Sequence, residues 1–176
     1  MQIPLQMTSR PQVAVAFGAP NLSDHFYLTG ESTRTALSWR IIRGSHVSDR
    51  ITFFREFAAA LQFPYYFGAN WDALDECLHD LSWLRGNGVI ILLDSFCGSL
   101  LTVAYLKRLI GTLDDNRIDP EDGTSEGSRR LAVIICEDTD REVCVATVLK
   151  ECGVSLTHQT SLETYAARYA ADEALD

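Results

Sequence analysis

FPYYFGANWDALDECLHDLSWL, residues 63–84, is the stretch from which the rest of the chain is best read. Asn70 stands where its side-chain oxygen can accept from a free backbone N–H of a first helical turn, so a helix is expected to start at Trp71. At about 100° per residue, Trp71, Leu74, Cys77, Leu78 and Leu81 gather on one face, which must be buried. Asp72, Asp75, Glu76, His79 and Asp80 fall on the opposite face, within an arc of roughly 140°. An acid in a first turn is ordinary, because the helix dipole favours Asp72 there by about 0.3–1 kcal/mol. A solvated acidic face is likewise the default reading of Asp75 and Asp80. Glu76 and Asp80, however, lie past the first turn, and residues 63–84 contain no Lys or Arg to serve as an i, i+4 partner. Like charges then repel along the face, a cost that a binding surface would explain.

Moving outward, Phe54, Phe57, Ala58 and Leu61 repeat at helical spacing, and Pro64 stops that helix. Trp39–Arg43, Val89–Leu93 and Leu131–Cys136 are short apolar runs without alternation, as expected of parallel strands covered on both faces. A helix with a stripe through Leu106, Leu109, Ile110 and Leu113 is predicted over 101–113. Thr139 with Glu142, and Thr160 with Glu163, read as capping boxes opening two further helices, the first ended by Gly153. Val154–His158 is a candidate fourth strand. Strands alternating with helices predict an α/β domain with a small parallel sheet of three to four strands. Residues 1–36 do not follow the alternation and form an N-terminal extension, with Val13–Phe17 and Phe26–Thr29 as candidates for two added strands. Residues 114–130, DDNRIDPEDGTSEGSRR, read as an exposed loop. Residues 137–176 are expected to be a C-terminal helical extension packed on the same domain.

Composition narrows the functions. The 176 residues are 47% hydrophobic, enough for one real core, and carry 24 acids against 15 bases for a net charge of −9. That charge repels nucleic acid and attracts a basic partner, although acidity for solubility alone is common. No apolar run approaches a membrane span, and the start of the chain lacks the basic and apolar regions of a signal peptide, so a cytoplasmic protein is expected. Five scattered cysteines, without a Cys-x-x-Cys pair, suggest neither a disulfide framework nor a zinc site. His25, His46, His79 and His158 form no metal-binding pair, and the glycines match no phosphate loop; neither cofactor nor metal is expected. Asp94, at the end of a parallel strand, is the most enzyme-like acid, but a helix-capping role together with Ser95 accounts for it. Tyr65 and Tyr66, in a loop before the acidic helix, are better candidates for an interface than for a core.

The central segment resembles the barstar family, intracellular inhibitors of secreted barnase-type ribonucleases. That family's motif runs Pro, an aromatic pair, Gly-x-Asn, an aromatic or Leu, Asp-Ala-Leu, x-Asp-Cys-Leu. This chain has Pro64, Tyr66-Phe67, Gly68-Ala69-Asn70, Trp71, Asp72-Ala73-Leu74 and Asp75-Glu76-Cys77-Leu78. The flanking elements agree in order, so the resemblance covers about residues 37–136, implying a barstar-like domain there. It implies that the helix and its preceding loop plug a ribonuclease active site, with Tyr66 as an aromatic contact and Asp72 as the first inhibitory carboxylate. Glu76 takes the place of the central aspartate, which occupies the substrate-phosphate position. Tyr65, Asn70, Asp75, His79 and Asp80 complete the expected partner-binding set. The implied partner is a basic ribonuclease or nuclease toxin, and the implied protein is an inhibitor with no catalytic residues. Departures are present: Glu76 is one methylene longer than Asp, Asp75 replaces an aromatic, and His79 and Asp80 replace small residues. A family glutamate before the last strand has no single counterpart among Asp114, Asp115 and Glu121. A non-catalytic module holding a different basic protein is the alternative reading.

Overall fold

The structure, a computed structural model, describes residues 4–9, 12–18, 37–84, 88–115 and 130–170. Among these residues, six strands and five α-helices run in the order β1 (Pro4–Thr8), β2 (Val13–Phe17), β3 (Leu37–Arg43), α1 (Arg50–Leu61), α2 (Trp71–Asp80), β4 (Gly88–Asp94), α3 (Leu100–Asp115), β5 (Arg130–Glu137), α4 (Glu142–Glu151), β6 (Leu156–Ser161) and α5 (Leu162–Ala170). The strands form one sheet in the order β3-β4-β5-β2-β1-β6. Neighbours from β3 to β2 are parallel, whereas β1 runs antiparallel to both β2 and β6. This corrects the expected three- to four-stranded parallel sheet to a six-stranded mixed one. The fourth parallel strand is Val13–Phe17, and the strand expected over 154–158 lies at 156–161, antiparallel to β1.

Period-two geometry explains the unbroken apolar strands. Val89, Ile91 and Leu93 of β4 and Leu131, Val133 and Ile135 of β5 point to one core, shared with the apolar sides of α1 to α4. Ile90, Leu92, Ala132 and Ile134 point to a smaller second core, closed by Leu162, Tyr165 and Ala166 of α5. Every position is wanted by one layer or the other. The Tyr165 hydroxyl, in a wholly buried side chain, donates to the Gln12 carbonyl at 2.8 Å, which ties α5 to the turn before β2.

Helix ends follow local chemistry, and there the structure departs from several expectations. Asp49 opens α1 with a reciprocal cap: its carboxylate accepts from Thr52 N at 2.7 Å, and Thr52 Oγ1 accepts from Asp49 N at 2.9 Å. The Thr139–Glu142 box does not form; residues 139–141 make a 3₁₀ turn, and α4 starts at Glu142 without a side-chain cap. At α5 the cap is Ser161, whose Oγ accepts from Thr164 N at 3.2 Å, not Thr160. Ser95 donates to Asp94 at 3.1 Å but caps nothing, and α3 is capped by Ser99 Oγ from Thr102 N at 3.1 Å. Gly44 ends β3 because a Cβ there would stand 2.3 Å from the Ser95 carbonyl oxygen. Gly153 adopts φ 70° just after α4, as a left-handed stop requires. The expected 114–130 loop is helical to Asp115 and strand from Arg130; residues 116–129, like the Phe26–Thr29 candidate strand and Glu121, lie outside the described residues.

Candidate functional site

The loop and first turn of α2 are locked by a few side chains. Asn70 accepts from Ala73 N at 2.9 Å through Oδ1, while its Nδ2 donates back to the Gly68 carbonyl at 3.3 Å. Ala69, between them, is held at φ 48°, a left-handed conformation that costs a side chain roughly 1–2 kcal/mol. Aromatic packing holds the loop from behind: Phe63 meets Phe67 and Trp83, and Trp83 Nε1 donates to the Leu61 carbonyl at 2.9 Å. Tyr65 and Tyr66 stay outside this cluster, exposed and packed edge-to-face on each other, with ring centroids 5.7 Å apart.

The apolar side of α2 is fixed in the larger core. Leu74 and Leu78 are wholly buried, as is Leu81 just beyond the helix, and Cys77 is 5% exposed. Trp71 is half-buried against Phe53 and Phe54 of α1 and Tyr105 of α3, at centroid distances of 5.1, 5.4 and 6.0 Å. The Arg108 guanidinium lies 4.5 Å over the same indole, so a cation from α3 flanks the start of the acidic helix. The sequence reading missed Arg108, because 37 positions separate it from Trp71 and no local pattern links them.

Asp72, Glu76, His79 and Asp80 are all exposed, on the side away from the core. Asp80 has a local task as well: its Oδ1 accepts from Ser82 N at 3.2 Å where Leu81, at φ 41°, ends the helix. Asp75 differs from the expected open display. It is half-buried, and its Oδ1 is shielded from solvent without a hydrogen-bond partner. His79 Nδ1 lies 2.9 Å from the Asp75 main-chain carbonyl and 3.7 Å from that Oδ1. A carbonyl can only accept, so Nδ1 carries the proton and donates to it. The negative potential of the face reaches across the helix: the Cys77 thiol is pushed up first by burial, then by the charges of Glu76 and Asp80.

A different acid sits at the carboxyl end of the parallel strands, where enzymes on such sheets place their chemistry. Glu137 is 8% exposed, and its Oε1 accepts from Cys97 N at 2.7 Å. Burial raises its pKa above the usual carboxylate value, assisted by Asp94, against the pull of main-chain N–H groups and Arg141. Its visible role is to strap the turn after β4 onto β5. Among the described residues no group of three or more His, Cys, Asp or Glu is placed to hold a metal ion. Nor is any helix among them long and apolar enough to cross a membrane.

Residues 38–119 match the family model described as Barstar (barnase inhibitor). That span runs from β3 through α1, α2 and β4 and includes all of α3, so it contains the capped helix, its aromatic loop and the Arg108 contact. Comparison with curated proteins and comparison with solved structures each give no match. The likeness to the barstar family therefore rests on residues 38–119, the segment that carries the acidic helix.

Proposed function

We propose that the protein is an inhibitor that binds a ribonuclease and closes its active site, with α2 carboxylates standing where substrate phosphates would stand. The observation that carries this reading is the division of α2. Leu74, Cys77 and Leu78 are anchored in the core while Asp72, Glu76 and Asp80 remain exposed. A ribonuclease site gathers Arg, Lys and His to hold a phosphate, and an acid on a rigid helix can enter it without reorganising. Such a pair binds well when each charge meets hydrogen-bonding partners across the interface. Asp72 and Glu76 would be the central acids, Asp80 and His79 the rim, and Tyr65 and Tyr66 the aromatic anchors. Asn70 contributes by setting the angle of the helix. The protein itself turns nothing over, and its use would be self-protection against a toxin made by the same cell or a sibling.

A second reading is favoured by one contact. The Asp75 carboxylate is partly drawn in beside His79, where the family commonly carries an aromatic, so the partner's surface need not be barnase-like. Under that reading the same face holds a different basic protein. The deciding experiment captures the partner from the native cell and measures cleavage of a fluorogenic RNA oligonucleotide by it, with and without the purified chain. Stoichiometric loss of cleavage, competed by nucleotide, supports inhibition. A basic partner without nuclease activity supports the second reading, and failure to bind any basic protein would reject both.

A further inference from the structure

Arg108 flanks the acidic helix, yet carboxylates that mimic phosphates leave it without a task. Its guanidinium lies 4.5 Å over the Trp71 ring, and the residue is exposed. Trp71 is itself held against Phe53, Phe54 and Tyr105, so the platform beneath the cation is fixed. Asp72 is the next residue of α2, and Asp75 follows Trp71 at i+4 on the same side of the helix. Arg108 therefore stands at the border of the carboxylate face.

The neighbouring cation is used differently. Lys107 is paired with Glu151 of α4 inside the fold. Arg108 forms no ion pair among the described residues, although two carboxylates share the first turns of α2 with its platform. A guanidinium over an indole interacts through its charge, which leaves its N–H donors available to another molecule. The sign of that charge is unhelpful for encounter. A basic partner is drawn by negative potential, and a fixed cation at the rim weakens the pull. The cation opposes binding unless the partner meets it with an anion.

We propose that Arg108 is a partner-binding residue that pairs with a carboxylate set among the cations of the ribonuclease site, a refinement that rests on the inhibitor reading of α2. Cleavage of RNA through its 2′-hydroxyl requires a group to take that proton. In a site otherwise built of Arg, Lys and His, a carboxylate is one such group. The planar fork of arginine meets both oxygens of a carboxylate. Specificity follows in two steps. The α2 acids select a cationic site, and Arg108 selects, among cationic sites, those with an acid at one edge.

The test follows association and dissociation of Arg108 variants of the full chain with the captured ribonuclease by stopped flow. Steering and direct pairing predict opposite signs. Arg108→Glu adds two negative units to a net charge of −9, so steering alone would make a basic partner bind faster and more tightly. Direct pairing makes Arg108→Gln dissociate about tenfold or more faster, and Arg108→Glu faster still. Arg108→Lys keeps a cation over Trp71 but loses the fork, so it should dissociate a few fold faster than wild type. That variant carries the reading should Arg108→Gln fail to fold. Replacing the Asp and Glu residues of the ribonuclease one at a time by their amides should yield one variant that wild type and Arg108→Gln bind alike. Unchanged or slower dissociation in Arg108→Gln and Arg108→Glu would overturn the proposal, as would a loss that no ribonuclease variant removes. In either case a wild type that still blocks RNA cleavage leaves the inhibitor reading standing. A wild type that blocks no ribonuclease would overturn both.

Discussion

The exposed carboxylates of α2 and the buried carboxylate of Glu137 are one functional group in two settings. On α2, Glu76 has no protein partner among the described residues and keeps its hydration, so folding gains little from it and another molecule can claim it. Glu137 has given up water for the Cys97 N–H and is bound into the join between β4 and β5. A carboxylate committed to its own fold stabilises that fold and is lost to intermolecular chemistry. One left exposed does the reverse, and the position at the end of a parallel strand does not by itself make an acid functional.

The strongest way to break this contrast is Glu76→Ala. Affinity for the captured ribonuclease should fall by about 2–5 kcal/mol, because a buried cation of the partner loses its counter-charge. That figure is informed by barnase–barstar, the pair named in the family model that residues 38–119 match. The melting temperature should hold, since the side chain is exposed and relieves crowding when removed. Calorimetric titration with a parallel melt checks both, and a large fall in melting temperature would make Glu76 structural. Glu137→Ala should show the mirror image. Leaving the Cys97 N–H buried and unpaired should cost about 1–3 kcal/mol of folding stability in a urea titration, with affinity for the partner unchanged.

Smaller effects sharpen the boundary. Asp80→Asn keeps an oxygen to accept from Ser82 N, so the fold should be unaffected. Stopped-flow association should slow by a few fold and lose part of its salt dependence, because rim charges steer encounter more than they hold the complex. The smallest signal is pH dependence at Glu137. Its folded pKa is raised above the ordinary 4.5, so the folded state binds the proton more tightly than the unfolded state. Stability from this group is therefore greatest below that ordinary value, declines as pH rises through the raised folded value, and is flat above it. Glu137→Gln should lack the decline when urea midpoints are compared from about pH 4 to 8. A wild type that gains on the Gln variant with rising pH would mean that hydrogen bonds, not burial, govern the group.

Much of this was legible in the sequence wherever one physical requirement dominated. Trp39–Arg43, Val89–Leu93 and Leu131–Cys136 are strands because a sheet covered on both sides accepts apolar residues without alternation. Asn70 was readable as a cap because the apolar period begins one residue later. Pro4–Thr8 was not read as a strand, since the alternation of Leu5, Gln6, Met7 and Thr8 spans only four residues and the segment is held by β2 and β6 on either side. The two capping boxes failed because the pattern records spacing and not geometry. At residues 139–141 the chain tightens into a 3₁₀ turn first, and at α5 Ser161 lies one residue nearer the helix. Asp75 shows the limit of the helical period. At about 100° per residue it falls roughly 40° from Trp71, on the border of the buried arc, where packing decides what a wheel cannot.

The placement of β1 has a consequence for how the chain acquires its shape during synthesis. Gln6 meets Thr157 from 151 positions away, and β2, which pairs locally with β1, reaches the central strands through β5. The ribosome releases β3 to α3 as a stretch of mostly local neighbours, whereas β1 must wait for nearly the whole chain before β6 can pair with it. Closing so long a loop is slow relative to forming local contacts. The pairing of β1 with β6 is thus among the last contacts to settle, and until β6 arrives that backbone edge of β1 is open to the wrong neighbour.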